Sequence, residues 1–193
     1  MLTTVLRSIK ELYGYTVRLA DGVMGNVLEF YIDDEKWTAR RVRVSGGVFL
    51  PAELLEEADP DEKSFFIQSS FAEIRAKVVE SCAGTNRQWR PASRLLGLLV
   101  HARNGAVGKM QDIILNDADL SVRYLVVDAP AYGQKFILSP WWIKSIDLER
   151  NEAHLRFDLN LVLRSPKYDF QMPFSREREA ALHGYYDKQT YWA

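Results

Sequence analysis

Apolar and polar positions along this chain follow one pattern twice. The segment from Gly14 to Val44 aligns without a gap with the segment from Gly97 to Val127, at an offset of 97 minus 14, or 83, residues. The matches fall on glycines and on apolar positions, where backbone geometry and core packing limit what can be substituted. The pattern therefore predicts two copies of one small domain.

Each copy is predicted to begin with a β-hairpin. Asp21-Gly22 and Asn104-Gly105 lie between apolar runs, and this kind of dipeptide indicates a two-residue turn with positive φ angles. A second glycine follows just inside the next strand of each copy, where a missing side chain indicates a β-bulge or a close backbone approach. The structural turns are assigned to Gly14, Gly22, Gly25, Gly97, Gly105 and Gly108.

Later elements match after a shift. Val48-Phe49-Leu50 pairs with Phe136-Ile137-Leu138 at an offset of 136 minus 48, or 88, which places 88 minus 83, or five, extra residues in a loop of the second copy. A strand and a short amphipathic stretch then follow in each copy. We expect a first repeat at 1–80, a linker at 81–92, a second repeat at 93–169 and a C-terminal tail with a short helix at 170–193.

The second copy also carries an ordered set of short motifs. It includes Leu95-Leu96-Gly97, Asn104-Gly105, Gly108, Ile113 to Asp117, Arg123 to Val127, Ile137 to Pro140 and Ser165 to Asp169. This set resembles the PRC-barrel domain, the family named for the cytoplasmic domain of the photosynthetic reaction centre H subunit and including the C-terminal half of a ribosome maturation factor. The resemblance covers residues 93–169 well and 6–80 more weakly.

The resemblance implies a mainly β fold with two tandem small PRC-type β-barrels, short helices and a C-terminal helical, aromatic tail. It also implies binding and assembly rather than catalysis. The sequence departs from both relatives, since it shows no N-terminal membrane helix and has a second PRC-like copy where the ribosome factor has a different barrel. Neither of their roles is therefore carried over whole.

Composition and charge narrow the function classes. A hydrophobic fraction of 47% with 26% charged residues is typical of a globular protein. The formal net charge of -1 leaves no general basic surface, so no nucleic-acid partner is expected except through a role in ribosome assembly. No apolar run approaches the roughly 20 residues that span a bilayer, and a cytoplasmic protein without a membrane span is expected.

Catalytic and metal-binding patterns are not evident in the sequence. Cys82 is the only cysteine, which excludes an intrachain disulfide and a thiolate metal cage. His101, His154 and His183 lack the spacing of a zinc site, and no phosphate-binding glycine loop or serine elbow occurs. We therefore expect no metal, no cofactor and no enzyme activity.

Strand parity suggests candidate interaction surfaces. Val42 and Val44 share the parity of their copies Leu125 and Val127, which marks the core face. The residues that alternate with these should point to the opposite face of the strand, and they differ between the copies. They are Arg41 and Arg43 in the first copy and Tyr124 and Val126 in the second. The arginines either meet an anionic partner or form a solvated face, which is favoured, whereas Tyr124 and Val126 are interface candidates between the barrels or with another chain.

Aromatic residues supply the remaining candidates. Trp141 and Trp142 serve either as interface anchors or, as favoured, in core packing. In the tail, a helix capped by Ser175 and stopped at Gly184 would present an aromatic cluster. That cluster comprises Tyr185, Tyr186, Tyr191 and Trp192. We expect it to dock in a groove of its own molecule or, alternatively, on a second subunit of a homodimer.

The preferred interpretation is a non-enzymatic soluble PRC-barrel protein that acts as a protein-binding adaptor or assembly factor with a protein partner of unknown identity. The alternative is a small-molecule or ion-binding module with a site between the barrels. A large exposed apolar patch favours the first, and a polar pocket favours the second.

Overall fold

The structure is a computed structural model that describes residues 5–82, 89–166 and 176–187. In these residues the fold is mainly β, with two sheets and a few short helices. The chain forms two compact units, one made of Met1–Leu95 with Asp112–Arg123, the other of Leu96–Gln111 with Tyr124–Ala193. Among the described helices, none is both long and apolar enough to cross a bilayer.

The first unit contains a sheet with the strand order β5-β4-β3-β2-β6, and β7 beside β3. The strands of the first unit are β1 (Leu6–Ser8), β2 (Thr16–Leu19), β3 (Gly22–Asp33), β4 (Thr38–Val44), β5 (Val48–Pro51), β6 (Ser64–Ile67) and β7 (Arg90–Pro91), of which β1 does not belong to this sheet. Its helices are α1 (Ile9–Leu12), α2 (Phe71–Cys82) and α3 (Ala92–Leu95). β7 and the start of α3 lie in the expected linker 81–92, which in part therefore has regular structure.

The second unit contains a sheet with the strand order β11-β10-β9-β8-β13-β12. The strands are β8 (Leu99–Ala102), β9 (Gly105–Asn116), β10 (Val122–Ala129), β11 (Gln134–Leu138), β12 (Ile143–Asp147) and β13 (Glu152–Leu155), and the helices are α4 (Leu159–Leu163) and α5 (Arg176–Tyr185). β13 is parallel to β8, and the tip of the β9–β10 hairpin belongs to the first unit. Neither sheet order closes into a ring over the described ranges.

The internal repeat extends beyond the aligned segment. β2 and β8 are both four residues long, β3 and β9 are both twelve, and α1 and α3 also match at the offset of 83. The pairing of β2 with β3 and the equivalent pairing of β8 with β9 shift register at the same place. The shift lies between Val17 and Arg18 in the first copy and between Val100 and His101 in the second. The predicted bulge is thus present in both copies.

The offset of 88 also corresponds to repeated geometry. β6 pairs in parallel with β2 as β13 does with β8, so Phe66 and His154 hold equivalent positions opposite Arg18 and His101. Asp59 and Asp147 each accept hydrogen bonds from the backbone N–H groups two and three residues later. The backbone therefore makes the same turn in both copies despite different side chains.

Two of the predicted turn glycines adopt left-handed backbone conformations at equivalent positions. Gly14 has φ +82° and Gly97 has φ +88°. A close approach explains the second pair, because a Cβ on Gly25 would lie 3.0 Å from the carbonyl oxygen of Ser45 and a Cβ on Gly108 would overlap that of Asp128. Ser45 and Asp128 are themselves equivalent, since 45 plus 83 is 128.

The third pair of glycines differs from the expectation. The turn residues are Ala20-Asp21 and Arg103-Asn104, one position earlier than predicted, and Gly22 and Gly105 begin the next strand. Gly22 has φ +155°, a positive value as expected, whereas the φ angle of Gly105 is not in the positive range, so positive φ accounts for the glycine in the first copy alone.

Both glycines of the third pair lie beside the start of a helix, which would crowd a Cβ at Gly105 but not at Gly22. A Cβ on Gly22 would lie 3.4 Å from Phe71, and a Cβ on Gly105 would lie 2.9 Å from Leu159; these are the first residues of α2 and α4. The preceding side chains bind the same helices, because Asp21 accepts from the backbone N–H of Phe71 at 3.1 Å and Asn104 accepts from that of Leu159 at 2.7 Å. The Asp-Gly and Asn-Gly dipeptides thus dock a helix start onto each hairpin.

Within the first unit, segments of the two copies exchange strands reciprocally. β1 pairs with the end of β9, with Ser8 opposite Ile114, and β7 pairs with the end of β3, with Pro91 opposite Tyr31. The two pairings are equivalent with the copies exchanged, because Pro91 is the counterpart of Ser8 (8 plus 83 is 91) and Ile114 is the counterpart of Tyr31 (31 plus 83 is 114).

Reciprocal ion pairs accompany these strands. Arg7 Nε lies 2.7 Å from Asp117 Oδ2, and Arg90 Nε lies 2.5 Å from Asp34 Oδ2. Because 7 plus 83 is 90 and 34 plus 83 is 117, the arginine of each copy binds the aspartate of the other.

A backbone bridge in the first unit has the same reciprocity. The N–H of Ala39 donates to Leu120 O at 2.9 Å, and the N–H of Val122 donates to Trp37 O at 2.7 Å. Trp37 and Leu120 are equivalent residues with φ +50° and +51°. Within the first unit, the two copies therefore contact each other through matched positions.

Candidate functional site

Arg41 and Arg43 lie on β4 as the parity predicted, with Val42 and Val44 fully buried on the core face. Both arginines are half-buried rather than freely solvated. The Arg41 guanidinium lies 5.0 Å from the ring centroid of Trp89, a cation–π arrangement that the sequence did not indicate. Part of this strip is thus engaged within its own unit.

The expectation that Tyr124 and Val126 lie outside the core is wrong. Both are buried, as are Leu125 and Val127, so β10 is covered on both faces. The Tyr124 hydroxyl lies 3.3 Å from Nε2 of His183 on α5, which explains the burial of that face. Neither side chain is accessible to a partner in this structure.

The two neighbouring tryptophans have different surroundings. Trp142 is buried and its ring lies 4.1 Å from that of Tyr186 and 5.7 Å from that of Phe157. Trp141 is 59% exposed. Core packing, the favoured interpretation, therefore holds for Trp142 alone.

The described part of the tail docks on its own unit. Tyr186 is buried, which raises the pKa of its hydroxyl to about 12, and the Tyr185 hydroxyl donates to the Leu161 carbonyl at 2.9 Å. Helix α5 continues through Gly184, and the left-handed residue after it is Asp187, with φ +51°. The expected stop at Gly184 is thus displaced, because Asp187 takes the left-handed position. Ser175, Tyr191 and Trp192 lie outside the described residues.

An exposed apolar surface lies on the first unit. Val23 on β3 and Phe66 on β6 both stand opposite Arg18 of β2, so the three side chains form a row on the outer side of the sheet. Val23 is 57% exposed, Phe66 is 38% exposed, and Phe71, beside Gly22, is 43% exposed. Arg18 forms an exposed ion pair with Glu62 at 3.2 Å. We call Val23, Phe66 and Phe71 the apolar face.

The equivalent row on the second unit is polar. His101 and His154 stack with ring centroids 5.3 Å apart, and the carboxylate of Glu152 lies 3.6 Å from Nε2 of His101 and 3.3 Å from Nε2 of His154. No group of three metal-ligating side chains suited to a metal ion occurs in the part of the chain that the structure describes. The histidine row is therefore not assigned as a metal centre.

A cleft adjoins the histidine row. It has a volume of about 510 Å³ and is lined by Arg103, Lys144, Ser145, His154 and Arg156, with the buried Ala102 and Leu155. We call it the cationic cleft. Of these residues only His154 is a candidate from the sequence, since the cleft is formed by separate segments that the pairing of β8, β13 and β12 brings together.

Comparison of the chain with protein-family models finds no match, and comparison with curated proteins finds none either. The function must therefore be argued from the apolar face, the cationic cleft and their contacts.

Proposed function

We propose that the chain is a non-enzymatic, tandem PRC-barrel-like protein that acts as a cytoplasmic protein-binding adaptor or assembly factor. The observation that carries this proposal is the apolar face of the first unit, where three large apolar side chains are exposed together. Grouped exposed apolar side chains mark interaction sites, whereas single ones are ordinary.

The surroundings of the apolar face fit a protein partner. Its row is crossed by Arg18, whose ion pair with Glu62 supplies polar groups next to Val23 and Phe66. Aromatic side chains and arginine are both enriched in protein interfaces. Because these side chains are already partly buried, a partner would add only part of the roughly 1.5–3 kcal/mol that full burial of each contributes, which suits a specific though not permanent contact.

The barrel assignment is the finer part of the proposal. Each copy has a register shift beside a glycine, at Gly25 and at Gly108, and bulges of this kind bend a sheet towards closure. The short helices α2 and α4 start on the hairpins at equivalent places. These shared features support a PRC-type barrel in each copy.

Substitution of the apolar face tests the adaptor function. The chain would be used as bait in a lysate of its native cell, with quantitative mass spectrometry, as wild type and as the double variant Val23→Ser/Phe66→Ser. We expect specific proteins to be recovered by the wild type and lost with the double variant, because the partner would lose its apolar contacts.

The control is Leu28→Ser, which changes an apolar side chain of β3 that is 46% exposed but lies outside the apolar face. It should retain the partners. Equal recovery by all three baits would contradict the proposal. Light scattering should accompany the experiment, since loss of a dimer only in the double variant would identify the partner as a second copy.

The alternative, a small-molecule or ion-binding role, is favoured by a separate observation. The cationic cleft concentrates positive side chains in a concave site of a size that small ligands occupy. All of its lining residues belong to the second unit.

A further inference from the structure

The cationic cleft of the second unit carries an excess of positive charge. Arg103, Lys144 and Arg156 are exposed and line it together, and Ser145 and His154 add groups that can donate hydrogen bonds. No carboxylate lines the cleft. Among the residues that the structure describes, none of the three cations forms an ion pair.

The neighbouring carboxylates contact groups other than the three cations. Glu152 lies between His101 and His154, and Asp147 accepts from the backbone N–H groups of Glu149 and Arg150. Those backbone hydrogen bonds, that of Arg150 first, keep the pKa of Asp147 below its usual range, so it remains ionised. Neither acid therefore neutralises the three cations by direct contact.

The first copy provides an internal comparison. At the offset of 83, Arg103 corresponds to Ala20; at the offset of 88, Lys144 corresponds to Glu56 and Arg156 to Gln68. These counterparts are all exposed, and none is cationic. The fold thus requires no cation at any of the three positions, yet the second copy has one at each.

The number of cations indicates the charge of a ligand. A single carboxylate carries one negative charge and two oxygens, which cannot match three cations and a hydroxyl. A phosphate group carries up to two charges and more acceptor oxygens, and arginine forks fit it in bidentate geometry. The volume of about 510 Å³ also leaves room for the body of a small molecule beyond one such group.

We propose that the cationic cleft binds a small soluble molecule through a phosphate group, held by Arg103, Lys144 and Arg156 and oriented by Ser145. This site is independent of the apolar face, so the two proposals can fail separately. Ser145 supplies a hydrogen bond to a phosphate oxygen, and the buried Leu155 lies beside the ligand body.

Calorimetric titration of the full chain with pyrophosphate tests the site at physiological ionic strength. The variants take the residues of the first copy, Arg103→Ala, Lys144→Glu and Arg156→Gln. Each should weaken binding about tenfold or more, because a charge-assisted hydrogen bond is lost. All three side chains are exposed, so the melting temperature should stay near that of the wild type.

The matched control is Arg150→Gln, which removes a side chain 77% exposed in the turn between β12 and β13, outside the cleft. It should bind pyrophosphate like the wild type. Equal weakening by the control would show attraction to overall charge and overturn the proposal, as would an absence of binding to the wild type.

An NMR titration and a vesicle-binding assay test the location of the site and the source of the phosphate. Backbone NMR of the wild type during the titration should show the largest shifts around Arg103, Ser145 and Arg156, and shifts elsewhere would overturn the assignment without any variant. A phosphate could also come from a lipid headgroup. Co-sedimentation with phosphatidylglycerol vesicles without binding of free pyrophosphate would overturn the small soluble ligand.

Discussion

At the scale of single residues, Glu29 and Asp112 show how the two copies use one position. Glu29 is buried, and its Oε1 accepts from the Tyr13 hydroxyl at 3.0 Å and from the backbone N–H of Ser93 at 3.3 Å. Asp112, at 29 plus 83, accepts from the Ser8 hydroxyl at 2.6 Å, and Ser8 in turn caps α1. Each carboxylate thus holds the start of a short helix.

The Tyr13–Glu29 contact leads to a prediction for alkaline pH. Burial, followed by the charge of Glu29, raises the pKa of the Tyr13 hydroxyl well above its ordinary value. Because the folded pKa exceeds the unfolded one, the stabilisation is complete below about pH 10 and is lost as pH rises beyond it. We expect the free energy of unfolding of the wild type to fall above pH 10, and to fall less steeply in Tyr13→Phe.

Urea unfolding between pH 7 and pH 11 would measure both slopes. At pH 7 the variant should be less stable by about 1 kcal/mol, because a hydrogen bond to a buried carboxylate is lost. The slope should be reduced rather than abolished, since Tyr186 also has a raised pKa of about 12. Identical slopes in wild type and variant would contradict the assignment to Tyr13.

A second residue-scale prediction compares two glycines. Gly108→Ala should lower the free energy of unfolding by about 1–3 kcal/mol, because the new Cβ would overlap the backbone of Asp128. Gly184→Ala should instead raise it by up to about 1 kcal/mol, since Gly184 lies in helix α5 and an added Cβ would meet open space. Thermal or urea unfolding gives both values, and destabilisation by Gly184→Ala would contradict the helical environment.

At the scale of elements, the short strands β1 and β7 depend on ion pairs of unequal burial. The Asp117 side chain is fully buried beside Arg7, whose side chain is 14% exposed, whereas Arg90 and Asp34 are 23% and 18% exposed. The ion pair of Arg18 and Glu62 is mostly exposed. The two equivalent ion pairs should therefore contribute different amounts to the free energy of unfolding.

We therefore expect a graded series of stabilities. Arg7→Ala should cost about 3–5 kcal/mol, since it leaves a buried carboxylate without its cation, and Arg90→Ala should cost less because water reaches that pair. Arg18→Ala is the exposed control and should cost less than about 1 kcal/mol. Urea unfolding of the three variants gives the order, and a loss for Arg90→Ala that exceeds that for Arg7→Ala would contradict it.

At the scale of the molecule, the sequence predicts the repeat and the hairpins because they depend on local signals. Gly14 and Gly97 adopt the left-handed conformations that turn residues favour, and the core parity of Val42 and Val44 follows from the period of a strand. The burial of Tyr124 could not be read in the same way, since it depends on helix α5, far away in the sequence.

The reciprocal strands and the cationic cleft also could not be predicted from the pattern of apolar and polar residues. Leu6–Ser8 and Arg90–Pro91 are too short to show a period, and no local signal states that each pairs with the other copy. The cleft joins Arg103 to Lys144 through strand pairing across the sheet. A residue-by-residue comparison of the two copies would have revealed its charge difference, because Lys144 aligns with Glu56.

The reciprocal contacts between the copies predict how the first copy would behave without the second. Arg7 is the equivalent of Arg90, and Asp34 is the equivalent of Asp117, so residues 1–82 contain both members of the exchanged ion pair. They omit Arg90 and β7, which occupy Asp34 and the end of β3 in the full chain. They also contain Trp37, Thr38 and Ala39, which form the backbone bridge with their equivalents at 120–122. Two identical first copies can therefore remake the contacts that the two copies make in the first unit.

We expect a fragment of residues 1–82 to be a folded homodimer at micromolar concentration, because it lacks residues 89–95 and 112–123 of its own unit and only a second molecule can replace them. Light scattering would give the mass, and the melting temperature should rise with concentration. Arg7→Asp should dissociate the dimer by placing like charges at Asp34, and the double variant Arg7→Asp/Asp34→Arg should restore it, since the exchanged pair is re-formed with opposite orientation. A fragment that is a stable folded monomer, or one that stays unfolded at every concentration, would show that the reciprocal contacts do not hold the copies together.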